Sequence, residues 1–227
     1  MPAPAPAMAS PAAATTVEMA AVDLYDVLTN VRPAAQDDPD DDFLLPITGV
    51  QVRVEAGRLH TAATDRFRIY RDHAPISRVA GPAPTGPVMI APGDVDTALA
   101  ILRRGPFGNG RVALVFPAPG APTSLLTLIT FPPASTRLAM PAAPAPWPFL
   151  ANAVSRFDAA GWTSTGAITL NPRLLPDPRQ MRHHGGVVDG PVTLRFRPDG
   201  LAIRAVIAAR PSFTADVMPC VLPADRP

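Results

Sequence analysis

VQVRVEAGRLHTAATDRFRIY, residues 50–70, decides the fold. Val50, Val52 and Val54 alternate with Gln51, Arg53 and Glu55, the period of a strand with one buried face. Ala56-Gly57 supplies a tight turn, and Leu59, Thr61 and Ala63 resume the alternation on a paired strand. Thr64-Asp65-Arg66 interrupts it, and Phe67-Arg68-Ile69-Tyr70 takes it up again. The reading is a meander of three antiparallel strands.

Upstream, residues 17–31 place Leu24, Val27, Leu28 and Val31 at i, i+3, i+4 and i+7, so a helix is expected across that span. Downstream, residues 77–87 read as a Gly/Pro linker, after which the plan repeats. A strand at Val88–Ile90 leads into a helix begun by Pro92 and Asp94 and faced by Val95, Leu99 and Leu102. Gly105-Pro106 ends it, and strands follow at Arg111–Phe116, Ser124–Phe131 and Thr136–Met140. A third copy is expected as a strand at Ala167–Leu170, a helix from Asn171-Pro172 to about Arg182, and strands at Val192–Phe196, Leu201–Ala208 and Thr214–Val221. The unit is βαβββ, three times over, an α+β chain with helices on one face of antiparallel sheets.

Composition narrows the chemistry. Among 227 residues all 20 basic side chains are Arg, 17 of the 19 acids are Asp, and 31 residues are Pro. Without Lys there is no P-loop lysine, Schiff-base lysine or Ser-Lys dyad. One cysteine, Cys220, excludes an internal disulfide and a multi-thiolate zinc site, and fits a reducing compartment. A net charge of +1 gives no global pull on nucleic acid. No apolar run approaches the roughly 20 residues of a membrane span. The Pro/Ala-rich residues 1–15 lack the basic start and helical core of a signal peptide and read as a disordered tail.

The remaining polar clusters read blandly. Asp37, Asp38, Asp40, Asp41 and Asp42 repel one another as a solvated loop and lack EF-hand order. His183-His184 beside Gly185-Gly186 has no third ligand at suitable spacing. Ser155, Ser164 and Ser212 have no elbow glycines. No catalysis, cofactor or metal is expected.

The stretch Leu59–Ile69, with Ala63-Thr64-Asp65 and Arg68-Ile69, resembles the "L-x-x-x-A-T-D-x-x-R-L" signature of bacterial β sliding clamps, the processivity subunit of DNA polymerase III. Phe213–Leu222 is similar to that family's terminal "y-x-x-x-M-P-x-R-L", Trp147-Pro148-Phe149 to its "F-P-x-Y" linker, and Leu170–Leu175 to the segment opening the last helix. The four lie in family order across residues 16–222. Residues 16–145 then resemble the middle clamp domain. Residues 146–222 resemble the linker plus the latter half of the last, with 154–166 as a connector and 223–227 as a tail. A first domain has no counterpart here.

The resemblance implies a clamp fold and a hydrophobic pocket that captures short linear peptides from polymerases, clamp loaders and repair proteins. Carried over by motif position, the pocket comprises Thr64, Arg66, Phe67, Arg68, Ile69, Pro148, Val217, Met218, Pro219 and Cys220. Two departures are visible: Val221-Leu222 stands for the family's Arg-Leu, and Cys220 for a larger apolar residue. Clamp helices hold double-stranded DNA by its phosphates without reading sequence. The corresponding side chains would be Arg103 and Arg104 on the second helix and Arg173, Arg179 and Arg182 on the third. The first helix offers Glu18, Asp23 and Asp26 instead. The implied function is a cytoplasmic, nucleoid-associated tether for replication or repair factors. A ring would need several copies, four if twelve units are required. The alternative is a truncated paralogue that captures peptides, as adaptor or competitor, without circling DNA.

Overall fold

The computed structural model describes residues 14–35, 49–84, 86–104, 110–118, 125–131, 135–144, 154–159, 161–163, 172–177, 180–188, 190–200 and 202–218. The expected N-terminal tail up to residue 13, the acidic loop, the strand at 167–170, Pro148, Arg179, Pro219 and Cys220 lie outside them; Thr15, expected as the tail's last residue, instead opens a strand and is buried.

The chain begins with strand β1 (Thr15–Ala20) and helix α1 (Ala21–Val31), followed by the meander β2 (Val50–Glu55), β3 (Arg58–Thr64) and β4 (Arg68–Pro75). The helix expected from residue 17 is therefore shorter. Val17 and Met19 are fully buried on one side of β1 while Thr16 and Glu18 are half-buried on the other, a period of two. The expected linker contains strand β5 (Arg78–Ala80). Then come β6 (Val88–Ile90), α2 (Pro92–Arg104), β7 (Arg111–Phe116), β8 (Leu125–Thr130) and β9 (Arg137–Pro144).

Each unit lends its leading strand to the other. β1 pairs antiparallel with β7, matching Met19 to Val112, and β6 pairs antiparallel with β2, matching Met89 to Gln51. β9 runs through both halves, meeting β8 at Leu125–Ile129 and then β6 at Val88–Ile90. This exchange ties the two units together around one core. Leu24 and Leu28 from α1, Val95 and Ala98 from α2, and Val52, Ile90, Leu114, Leu126, Leu128 and Met140 from the sheet share it. At about 25 cal/mol per Å² of apolar surface, each fully buried Val, Leu, Ile or Met among them contributes roughly 1.5–3 kcal/mol before entropy is counted. Gly49, at φ +146°, lets β2 pass Ile90: a Cβ there would meet the Ile90 carbonyl oxygen at 2.6 Å.

The third unit departs from expectation. Where a helix was anticipated from residue 171 to 182, the described residues hold a 3₁₀ turn at Pro172–Leu174 and then a small hairpin, β10 (Arg182–His183) and β11 (Gly186–Val187). Pro176 and Pro178 each remove a backbone donor and bias the preceding residue away from helical geometry, which stops the helix after one turn. His184 and Gly185 take positive φ, 51° and 77°, at the hairpin tip. The rest of the unit is a meander of β12 (Val192–Phe196), β13 (Ile203–Ile207) and β14 (Arg210–Val217). β14 pairs antiparallel with β4, so among the described residues all three meanders join one twelve-stranded sheet with β12 and β5 at its ends.

A buried polar cluster fastens this last unit to α1. Asp72 of β4 accepts hydrogen bonds from Asn30 Nδ2 at 2.8 Å and Arg210 Nε at 3.1 Å, and all three side chains are buried. Asn30 also accepts from the Arg182 backbone N–H at 2.7 Å, and Asp26 from that of Gly185 at 3.3 Å. Asp26, read from sequence as an outward acid on the first helix, is thus a core residue. Burial raises its pKa from 3.8 to about 6, against the lowering by the Gly185 N–H and by Arg210.

Candidate functional site

The site grows from the turn between β3 and β4. Thr64 Oγ1 donates to the Arg68 carbonyl at 2.7 Å and accepts from the Arg66 N–H at 3.2 Å. Asp65 Oδ1 accepts from the N–H groups of Phe67 and Arg68, both at 3.1 Å, and its Oδ2 takes Arg68 Nε at 2.9 Å. With its donors satisfied by these side chains, the turn holds Arg66 at φ +75° and lifts Phe67 into solvent, 58% exposed.

β14 brings the chain terminus alongside. Asp216 pairs with Ile69 and Val217 with Arg68, and the Met218 N–H donates to the Phe67 carbonyl at 2.8 Å. Phe67 and Met218, read from distant motifs, are therefore neighbours, and Met218 is 43% exposed. Two exposed large apolar residues are thus joined by a backbone hydrogen bond at the end of the β4–β14 pairing.

Strand alternation corrects the pocket list. Ile69 lies on the sheet face opposite α1, buried against Met89, Phe157 and Ala202, with Trp162 packed at the margin. Arg68 and Val217, a matched pair, point to the other face. Val217 is fully buried in the core. Arg68 reaches the carbonyls of Arg173, at 3.1 Å, and Pro33, and stacks its guanidinium 5.3 Å from the Tyr70 ring centroid. Its role is to brace the turn. Thr64 and Arg66 shape the turn as well.

Phe157 and Trp162 were not foreseen. They come from a helical turn at 154–158 and the residues after it, too short for a periodic signal. Trp162 Nε1 donates to the Phe157 carbonyl at 2.8 Å, and Arg204 lies 4.5 Å from the Trp162 ring centroid. Beneath them Arg71 and Arg204 each bind both Asp158 and the buried Asp216 at 2.6–3.1 Å. The two arginines hold the Asp158 carboxyl below the usual range despite partial burial. This four-charge lattice pins the helical turn over Ile69.

Of the expected DNA-facing arginines, Arg179 lies outside the described residues. Arg103 and Arg104 are exposed at the end of α2. Arg182 is on β10 with its N–H bound to Asn30, and Arg173 is in the 3₁₀ turn. Glu18 is on β1, in ion pairs with Arg78 and Arg111. Every side chain of α1 is buried or half-buried. Among the described residues no three His, Cys, Asp or Glu side chains gather as a metal site, and no helix is long and apolar enough to cross a membrane.

No family model and no curated protein matches the sequence. Solved structures do match its fold. The DNA polymerase sliding clamp from Pseudomonas aeruginosa superposes with a TM-score of 0.61 at 14% identity, over 96% of this chain and 70% of that one. The DNA polymerase III β subunit from Thermotoga maritima gives 0.61 at 13%, over 97% and 68%. The β sliding clamp from Caulobacter crescentus, crystallised with polyethylene glycol at the region regarded as its β-motif tether, gives 0.56 at 13%, over 91% and 65%. The chain has the sliding-clamp fold, about two thirds of it by length.

Proposed function

We propose that this chain, built on the sliding-clamp fold, is a processivity or tethering factor of DNA replication and repair that holds polymerase or other partners by a short peptide. In this reading residues 16–145 correspond to a middle clamp domain and 146–222 to the linker and latter half of a last one. The protein binds and does not catalyse, and works in the cytoplasm at the nucleoid. The observation that carries the reading is the backbone pairing of Phe67 with Met218, two exposed large apolar residues at the end of the β4–β14 ladder that also holds Ile69. Met and aromatic side chains suit varied peptide anchors, and anchors at the centre of an interface dominate its energy. Pro148, Pro219 and Cys220 belong to this reading by motif position alone. Replacing Phe67 and Met218 together with Ala is expected to weaken a fluorescent polymerase-derived peptide at least tenfold in an anisotropy titration. Unchanged affinity, or no binding by the wild type, would remove the peptide reading.

A second reading, a peptide-binding adaptor that does not encircle DNA, is favoured by how the sheet ends. β5 covers β1 with Val17 opposite Val79, and Ser77 bonds the Glu18 carbonyl through both N–H and hydroxyl at 2.8 Å. Gly81, at φ +97°, passes so close that a Cβ would meet the Ala14 carbonyl oxygen at 2.7 Å. β5 itself is three residues long and is followed by Pro82 and Pro84, devices that blunt an edge against further pairing. At the far end Thr163 bridges Phe196 of β12. α1 carries no basic side chain, and all its side chains are buried or half-buried. Light scattering is expected to show a monomer at all concentrations, and duplex binding that vanishes by about 0.2 M salt. A closed oligomer would restore the ring-forming reading.

A further inference from the structure

The helical turn at 154–158 meets the sheet through very little of itself. Of its residues, and Ala159 after them, only Phe157 is buried and Val154 half-buried; Ser155, Arg156, Asp158 and Ala159 are exposed. Phe157 shares one buried cluster with Ile69, Met89 and Ala202, and the partly buried Ala62, Val154 and Trp162 pack against it. The remaining ties are polar and near the surface. Asp158, its side chain 51% exposed, binds Arg71 and Arg204 at 3.0 Å. The Trp162 indole N–H donates to the Phe157 carbonyl.

Ile69 is the residue this turn hides. It stands two positions from the exposed Phe67, and its partner on β14, Asp216, stands two positions from the exposed Met218. Ile69 itself is 6% exposed. An aromatic side chain of the chain's own thus covers apolar surface next to the two exposed residues. On one side the turn borders open space: Val154 and Asp158 line a groove of about 580 Å³, lined also by Ala62 of the same cluster. On the other, Thr163 is tied to Phe196 by two backbone hydrogen bonds, at 2.7 and 2.9 Å. The chain therefore stays fastened to β12 there, whatever Phe157 does.

We propose that Phe157 is a built-in plug, and that an apolar residue of the partner peptide takes its place on Ile69 when the peptide binds. The proposal rests on the peptide-docking reading above and adds a regulation to it: the site is closed by its own chain. One apolar side chain replaces another, so the burial lost with Phe157 is regained with the peptide. What opposes the exchange is chiefly the hold of Asp158, and ion pairs with an exposed member hold less than buried ones. A plug lowers the apparent affinity by the fraction of molecules in which it is open, so removing it tightens binding. A fixed wall of the site does the opposite, because its loss removes contacts.

The test uses the full chain and the same fluorescent polymerase-derived peptide. Phe157→Ala is expected to bind it about tenfold tighter than the wild type, and Asp158→Asn about threefold tighter, as the open fraction rises. Thermal unfolding of each variant checks that the fold is retained. A second readout needs no variant and decides the matter should Phe157→Ala fail to fold. With saturating peptide, amide hydrogen exchange across 154–159 of the wild type is expected to speed up at least about threefold, because the turn leaves the sheet that protects it. Weaker binding by Phe157→Ala, or slower exchange in the complex, makes Phe157 a fixed wall, which overturns the plug and leaves peptide docking standing. Affinities of both variants within about twofold of the wild type do the same. Binding by neither the wild type nor Phe157→Ala overturns the peptide reading, and the plug with it.

Discussion

Replacing Asp72 with Ala lowers the free energy of unfolding by about 3–5 kcal/mol, the usual consequence of stranding one partner of a buried ion pair. Arg210 is 4% exposed, and its nearest carboxylate is Asp72 at 3.1 Å, with Asp26 next at 3.8 Å. Without Asp72 the guanidinium keeps a burial cost that Asp26 alone offsets poorly, and Asn30 loses its 2.8 Å acceptor. Asp72→Asn, which keeps an acceptor and drops the charge, loses less, about 2 kcal/mol. Urea titration with the slope held constant measures both. A loss below about 1 kcal/mol for the Ala variant would mean that the cluster does not fasten the last unit.

Asp26→Asn works in the opposite direction. The folded protein raises the Asp26 pKa to about 6, above the unfolded 3.8, and so binds its proton more tightly than the unfolded chain does. The stability linked to that proton is complete below about pH 4 and is lost as pH climbs through 6. At pH 8 the buried carboxylate costs about 3 kcal/mol, because each tenfold change in proton affinity is worth about 1.4 kcal/mol. Asn can still accept from the Gly185 N–H and carries no charge. The variant is therefore expected to gain about 1–3 kcal/mol at pH 8 and nothing at pH 4. Parallel stability curves for variant and wild type between pH 4 and 8 would refute the assignment.

What could be read from sequence was what local chemistry dictates. The alternation of Val50, Val52 and Val54, the turn at Ala56-Gly57 and the helix after Pro92 each obey one clear period or one turn rule, and each formed. The Thr64-Asp65 motif was legible as a break in pattern, and its side-chain bonds explain the break. The readings that changed involved competing signals. TTVEMA ran into a good helical sequence, so β1 was absorbed into α1. Leu174, Leu175 and Met181 favoured a helix until Pro176 and Pro178 outweighed them. β5 lay in Gly/Pro-rich sequence, and its pairing with β1 depends on a strand supplied from elsewhere. In the pocket, motif position brought Phe67, Ile69 and Met218 to one place. Only the register of β14 on β4 could show that Val217 and Arg68 face away, and Phe157 had no motif to announce it.

That register has a consequence for synthesis. A ribosome releases β4 long before β14, because the whole stretch from Pro75 to Arg210 must be made in between. Until then the outer border of β4 offers its backbone groups to any other nascent chain. Its sequence, RIYRDHAP, carries two arginines, an aspartate, a histidine and a closing proline, the residue types that discourage such encounters. Arg71 therefore serves twice, first as a guard on a waiting strand and later as the partner of Asp216 that receives the strand it waited for.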